Sequence, residues 1–361
     1  MQQPNDDIIQ YERDEPYLRD FLATIKKHDG TFKRVLSSPL RYPGGKTKAI
    51  GIILDNLPKL RSKKIVSPFF GGGSFELCAS QSLGIEVVGY DIFGMLTNFW
   101  NVLITRKQEF IDELKKFAVT SEEFTRNRHI LLSYWDTIKP ADLHYHTKKV
   151  VELSDEEKNR LSDNELQQAV YYYYNMTLSY GPMFLGWPSS NEINKDKFNR
   201  RITKLSASTF SNLRVSCKDF KEVIQSHPDD FLFLDPPYYL GEDSTMFKGM
   251  YPNCNFAIHH KGFDHVEMAR LLSDHKGGFL ITYNDCPTIR ELYKNHKQIF
   301  PEWQYTYGQG ETRIGKNRNC VSSNTDTTTN VDNAVLLQTT PQHVKKSSEL
   351  FIICPPSTLC G

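Results

Sequence analysis

The sequence predicts an α/β fold whose mostly parallel sheet is interrupted by a mainly helical insertion. Three observations lead there. Residues 63–91 read as strand, glycine-rich turn, helix, strand, the βαβ unit that builds parallel sheets with right-handed crossovers. The same alternation returns in residues 229–285, where two strongly apolar runs flank a helix-forming stretch. Between them, from about Phe93 to Ser211, the chain is polar, rich in helix formers and tyrosine, and shows no alternating strands. Three segments follow: a polar N-terminal extension over 1–36, a sheet domain built from 37–95 and 212–361, and an insert over 96–211.

Taken in order, residues 1–36 form a polar lead with a helix around Tyr17–Lys27. A Pro-Gly-Gly turn then opens a helix in which Ile50, Ile53, Leu54 and Leu57 share one face, with Pro58 as its stop. The segment KKIVSPF is a short strand, GGGS a loop, and FELCASQSLG a helix closing on Gly84. IEVVGYD is a buried strand ending in an acid. Late in the chain DDFLFLDPP is a strand running into a carboxylate. FDHVEMARLLSDHKGG is a helix and FLITYND a strand; PTIRELYKNH is a helix and SSELFIIC a final strand. Residues 316–333 have almost no apolar content and read as a mobile loop.

Bulk properties narrow the function classes. The 44 basic and 43 acidic side chains leave a net charge of +1, so a nucleic-acid partner would require the basic residues to be concentrated on one face. No apolar run approaches the roughly 20 residues that span a bilayer, and the polar, acidic start is unlike a secretory or transit segment. The seven cysteines include no Cys-x-x-Cys pair. They read as reduced thiols of an intracellular, cytoplasmic protein without a zinc site. The histidine pairs His144/His146 and His259/His260 lack companion ligands at metal-binding spacing, so no metal is expected.

The chemistry concentrates in three places. Phe69-Phe70-Gly71-Gly72-Gly73 puts bare backbone at a strand's carboxyl end, where open α/β sheets bind ligands. A purely structural turn explains such glycines about equally well. Asp91 ends the next strand, eighteen residues after Gly73, close to the ~20-residue spacing at which an acid grips ribose hydroxyls. Alone, it would be a surface aspartate opening a turn. The decisive feature is FLFLDPPYY, in which an apolar strand runs into Asp235, Pro236, Pro237 and Tyr238. Two prolines fix the local backbone and remove two N–H donors. The Asp235 carboxylate and the Pro236 carbonyl are then two fixed acceptors for the hydrogens of an exocyclic amino group, and Tyr238 is a ring on which a base can stack. An aromatic amine is a poor nucleophile because its lone pair is delocalised. Two fixed acceptors favour a tetrahedral nitrogen that presents that lone pair to a methyl donor.

These residues resemble the Dam-like adenine-N6 DNA methyltransferases, in which a Phe-x-Gly-x-Gly loop comes first, Asp-Pro-Pro-Tyr late, and a recognition insert between them. The resemblance extends to Tyr42-Pro43-Gly44-Gly45-Lys46, to Lys218-Asp219-Phe220 and to Tyr283-Asn284-Asp285, and so covers most of Ser38 to Cys354. It implies the seven-stranded methyltransferase version of a Rossmann-like fold, with S-adenosylmethionine as cofactor and double-stranded DNA as substrate. Tyr42 and Lys46 should contact the cofactor's methionine end. Phe69, Gly71 and Gly73 should line its pocket, Asp91 should take the ribose hydroxyls, and Asp219 with Phe220 should lie near its adenine. Asp235, Pro236 and Tyr238 should hold a target base flipped out of the duplex. A monomer suffices, with any cognate restriction endonuclease acting separately. After Tyr171–Tyr174 the chain reads NMTLSYGPMFLGWPSSNEINKDKFNRR and departs from the family's Phe-Asn-Gly and Arg-x-Asn pattern, so a GATC target is not implied.

Arg41, Arg126, Arg128, Lys148, Lys149, Lys197, Arg200 and Arg201 are candidate DNA contacts, though each alone reads better as a solvated charge. The Tyr171–Tyr174 run could stack on displaced bases, but a half-buried helix face explains it more simply. Other readings are weaker. Tetrads for cytosine N4, RNA or glutamine amides usually begin with Ser or Asn. A nucleotide-binding oxidoreductase would need Gly-x-Gly-x-x-Gly, and 5-methylcytosine chemistry a Pro-Cys dipeptide, which is absent. A catalytically silent DNA-binding relative would not keep every expected active-site residue.

Overall fold

A computed structural model describes residues 15–138, 151–181, 183–239, 263–301 and 349–357. Seven strands among the described residues form one mixed sheet in the order β3-β2-β1-β4-β5-β7-β6. Strands β1 (Lys64–Ser67), β2 (Glu86–Asp91), β3 (Leu213–Cys217), β4 (Phe231–Leu234) and β5 (Phe279–Asn284) run parallel. β7 (Glu349–Cys354) lies antiparallel between β5 and β6 (Lys297–Ile299). This is the expected mostly parallel α/β sheet. Both faces of its central strands are covered, which favours mostly apolar sequence: every residue of β4, and all but the last of β5, is buried.

The helices follow the sequence reading closely. α1 (Pro16–Ile25) lies within the polar lead, and its Leu18 and Ile25 are buried in the core. α2 (Ile50–Asp55) is shorter than expected and stops before Leu57 and Pro58, although Ile50, Ile53, Leu54 and Leu57 are all buried. α3 (Ser74–Leu83) joins β1 to β2 and ends at Gly84. Between β2 and β3 come α4 (Gly94–Thr105), α5 (Lys107–Leu114), α6 (Ser121–Ile138), α7 (Asp155–Asn159), α8 (Glu165–Leu178) and α9 (Lys195–Ala207), so this stretch is helical as expected. α10 (Phe220–Ser226), α11 (His265–Ser273) and α12 (Pro287–Leu292) complete the described helices. The stretch 316–333 and the residues His144, His146, Lys148, Lys149, His259 and His260 lie outside the described residues.

Two differences have clear causes. The four tyrosines of α8 are not a half-buried face: none has more than 2% of its surface exposed. They pack with Phe99, Phe110, Phe117, Phe124 and Phe184 into one aromatic cluster, with Phe99 stacked on Tyr173 at 5.6 Å. Four consecutive residues point around the whole circumference of a helix, so full burial means that α8 is enclosed on all sides. β3 was not foreseen. Its alternating buried and exposed residues include only two apolar side chains, too few to stand out.

Position follows from topology. The chain proceeds from β1 through α3 to β2 on one side, whereas α10 leads to β4 on the other. The crevice outside the carboxyl ends of β1 and β4 is therefore the topological switch point, where open α/β sheets bind ligands.

Candidate active site

The glycine loop leaves β1 at this switch point. Phe70 N–H donates to the Tyr90 carbonyl, and Trp100 Nε1 donates to the Gly71 carbonyl at 3.0 Å, which ties the loop to β2 and α4. Glycine is needed at Gly72 for space: a Cβ there would lie 2.7 Å from Tyr42 Cβ. Tyr42 thus lies directly against bare loop backbone, and the expected neighbours of the Phe-x-Gly-x-Gly segment are brought together.

Asp91, at the end of β2, faces the same loop. Its Oδ2 accepts the Gly71 N–H and its Oδ1 the Phe93 N–H, both at 3.0 Å. Burial pushes its carboxyl above the usual range, opposed by hydrogen bonds from the backbone of Phe93, Gly71 and Ile92. Each carboxylate oxygen has a second lone pair, so the group has the capacity for further hydroxyl donors.

Asp235 follows the fully buried β4. Its carboxylate meets the Lys46 ammonium at 2.7 and 2.8 Å through its two oxygens, and Oδ1 also accepts the Thr282 hydroxyl at 2.6 Å. Lys46 is only 4% exposed and donates in addition to the Gly44 carbonyl at 2.9 Å. A cation removed from water in this way needs such a partner set. Tyr238 lies beside the pair: the Lys46 ammonium is 5.0 Å from its ring centre, a cation–π distance, and its hydroxyl donates to Glu349 Oε2 at 2.7 Å. Beneath the loop, Glu76 of α3 is 3% exposed and accepts the Ser67 hydroxyl at 2.7 Å. Burial pushes its carboxyl up to about 8, against the Ser67 hydrogen bond; Asp235 adds to the rise and Lys46 opposes it.

Phe69, Phe220 and Phe263 form an aromatic wall, with ring centres 5.0 to 5.6 Å apart. Asp219 caps α10 by accepting the Lys221 N–H at 2.9 Å. Thr282, Glu349, Glu76 and Trp100 were not among the residues expected at the site. The first three carried a signal: Thr282 and Glu349 are polar residues inside apolar strand segments, and Glu76 is the one charge in α3.

A lysine-held carboxylate on the proline-stiffened turn after β4, the glycine loop after β1 and an acid at the end of β2 now stand at one switch point. The family model for D12 class N6 adenine-specific DNA methyltransferases matches residues 42–307. The chain belongs to that family. It is a DNA methyltransferase that modifies adenine at N6. The chain is also similar to the type II methyltransferase M.MjaIII of Methanocaldococcus jannaschii, with 25% identity over 213 residues, or 55% of this chain and 68% of the relative. D12 class methyltransferases generally use S-adenosylmethionine, and no described helix is long and apolar enough to cross a membrane.

Several basic residues predicted to contact DNA are engaged within this methyltransferase. Arg128 is 1% exposed, donates to the Leu185 and Gly186 carbonyls and lies over the Trp187 ring at 4.4 Å. Arg126 pairs with Glu157, and Lys197 bonds Asn191. Arg41 and Arg201 share Glu192, and both donate to the Thr177 carbonyl.

Proposed function

We propose that Asp235, Pro236 and Tyr238 hold the flipped target adenine, and that S-adenosylmethionine occupies the crevice between Tyr42, Lys46, the glycine loop and Asp91. The observation that carries this reading is the Asp235 carboxylate, fixed by Lys46 and Thr282 beside the glycine loop. The residues fit the cofactor's chemistry. Asp91 retains acceptor capacity for ribose hydroxyls, Gly71 to Gly73 allow close approach to backbone, and Phe69 and Phe220 offer an apolar wall for a purine. When bound, S-adenosylmethionine supplies a methyl group activated by its sulfonium. Asp219 belongs to this reading through its place beside Phe220.

The protein's own residues do the rest. A carboxylate has about four lone-pair directions; Lys46 and Thr282 occupy some of them, and the remainder can accept a hydrogen from the adenine N6. The Pro236 carbonyl accepts the second hydrogen and turns the nitrogen lone pair out of the ring plane. Lys46 and Thr282 hold Asp235 aimed, so no reorganisation is needed when charge develops on the nitrogen. Because N6 is engaged in base pairing, the adenine must leave the stack, and Tyr238 offers it a stacking surface. The 96–211 segment is the source of target recognition in this reading. The resemblance to a type II methyltransferase favours a restriction–modification setting with a separately acting nuclease.

Asp235→Asn, which keeps the side chain's size and a carbonyl acceptor for Thr282, is the direct test. Methyl transfer is expected to fall at least ~100-fold, the size associated with losing a positioned electrostatic group, while S-adenosylmethionine binding stays measurable by calorimetry. An active variant with wild-type rate would refute the assignment.

A further inference from the structure

The C-terminal strand has a charged residue where an apolar one would pack. Glu349 opens β7, is 4% exposed, and accepts the Tyr238 hydroxyl at 2.7 Å across 111 positions of sequence. Its register partner on β5 is Asn284, whose Nδ2 donates to the Tyr239 carbonyl at 2.8 Å. The two facing residues of one antiparallel pair therefore bind consecutive residues of the Tyr238-Tyr239 turn, one through side chain and one through backbone. A tyrosine ring has two free torsions, and a hydroxyl tethered to a buried carboxylate removes much of that freedom. Asp235 fixes the start of the tetrad through Lys46 and Thr282, and the β5–β7 pair fixes its end.

We infer that Glu349 is a positioning residue for methyl transfer, holding the Tyr238 ring in the orientation in which it stacks on the target adenine, with Asn284 securing the adjoining backbone. The inference rests on the assignment of Tyr238 to the target base. Glu349 does not touch the reacting atoms; it acts through the Tyr238 hydroxyl. A glutamine at 349 retains a carbonyl acceptor for that hydroxyl, whereas an alanine does not.

The test is a double-mutant cycle on the full chain, read as the methylation rate of mixed-sequence duplex DNA at saturating S-adenosylmethionine, with cofactor affinity measured alongside. Glu349→Ala and Tyr238→Phe are each expected to lower the rate about tenfold, as for loss of one buried hydrogen bond, with cofactor affinity unchanged. Glu349→Gln should restore most of the rate. In the Tyr238→Phe background, Glu349→Ala should cost little more, because the bond is already gone. Fully additive losses, or no rescue by glutamine, would overturn the inference. Should Glu349→Ala not fold, Tyr238→Phe alone decides: a wild-type rate would overturn it. Tyr238→Ala separates the underlying reading, since wild-type activity there would show that Tyr238 does not serve the base at all. An inactive Tyr238→Ala with fully active Tyr238→Phe would discard Glu349 alone.

Discussion

Three carboxyl groups at the site, Asp91, Asp235 and Glu76, have different surroundings. Asp235 has an ammonium and a hydroxyl; Asp91 has backbone N–H donors; Glu76 has one serine hydroxyl and burial. Glu76 is consequently protonated at neutral pH, held up to about 8 from an ordinary 4.5. The folded protein then retains a proton that the unfolded chain releases, so this group's contribution to stability falls as pH rises from 4.5 to 8 and levels off above that. Glu76→Gln removes the dependence. Thermal unfolding across pH 5 to 8.5 should show the variant gaining on the wild type by several degrees toward high pH, on the order of a few kcal/mol. A difference independent of pH would mean that Glu76 is ionised throughout. At this scale Asp235, Tyr238, Lys46 and Asp91 were legible because each sits in a short pattern of residue types. Glu76, Thr282 and Glu349 were not: their partners are 9, 47 and 111 positions away, and only the folded sheet brings them together.

Strands buried on both faces were easy to read, and those with a wet face or at the sheet's edge were not. β4 and β5 are almost wholly buried, mostly apolar runs, whereas three of the five residues of β3 are exposed and β6 is three residues at the sheet's edge. The tyrosine run of α8 misled in the other direction, since hydroxyls suggested a wet face. The hydroxyls of Tyr174 and Tyr173 instead reach the backbone carbonyls of Ala118 and Pro39 from inside the core, at 2.7 and 3.4 Å. The strand–loop junction also explains Gly89 of β2: a Cβ there would lie 2.2 Å from Phe70 Cδ2. Gly89→Ala should therefore push Phe70 and the glycine loop aside, costing about 1–3 kcal/mol of stability in denaturant unfolding and weakening S-adenosylmethionine binding. Stability within ~0.5 kcal/mol of wild type would show that the Phe70 ring yields without disturbing the loop.

Across the whole molecule, the sheet order places the ends of β1, β2, β4 and β5 beside one another, although the candidate site residues are spread from Tyr42 to Glu349. The helices between β2 and β3 are tied back to this centre. Arg41, next to Tyr42, donates to the Thr177 and Ser179 carbonyls at the end of α8 and faces Glu192 together with Arg201. Phe184 meets Phe93, whose N–H holds Asp91. Residues of the 96–211 stretch thus contact both flanks of the crevice at the switch point. The alternation of strands and helices made this architecture visible in the sequence. The DNA target was not legible, because the chain after Tyr174 departs from the family pattern, and Arg126, Arg128 and Arg201 have internal partners. The most direct measurement is transfer of labelled methyl from S-adenosylmethionine to mixed-sequence duplex DNA, followed by digestion and identification of the labelled nucleoside. The expected product is N6-methyl-2′-deoxyadenosine; label on the N4 of cytosine, or none on DNA while the cofactor still binds, would contradict the account.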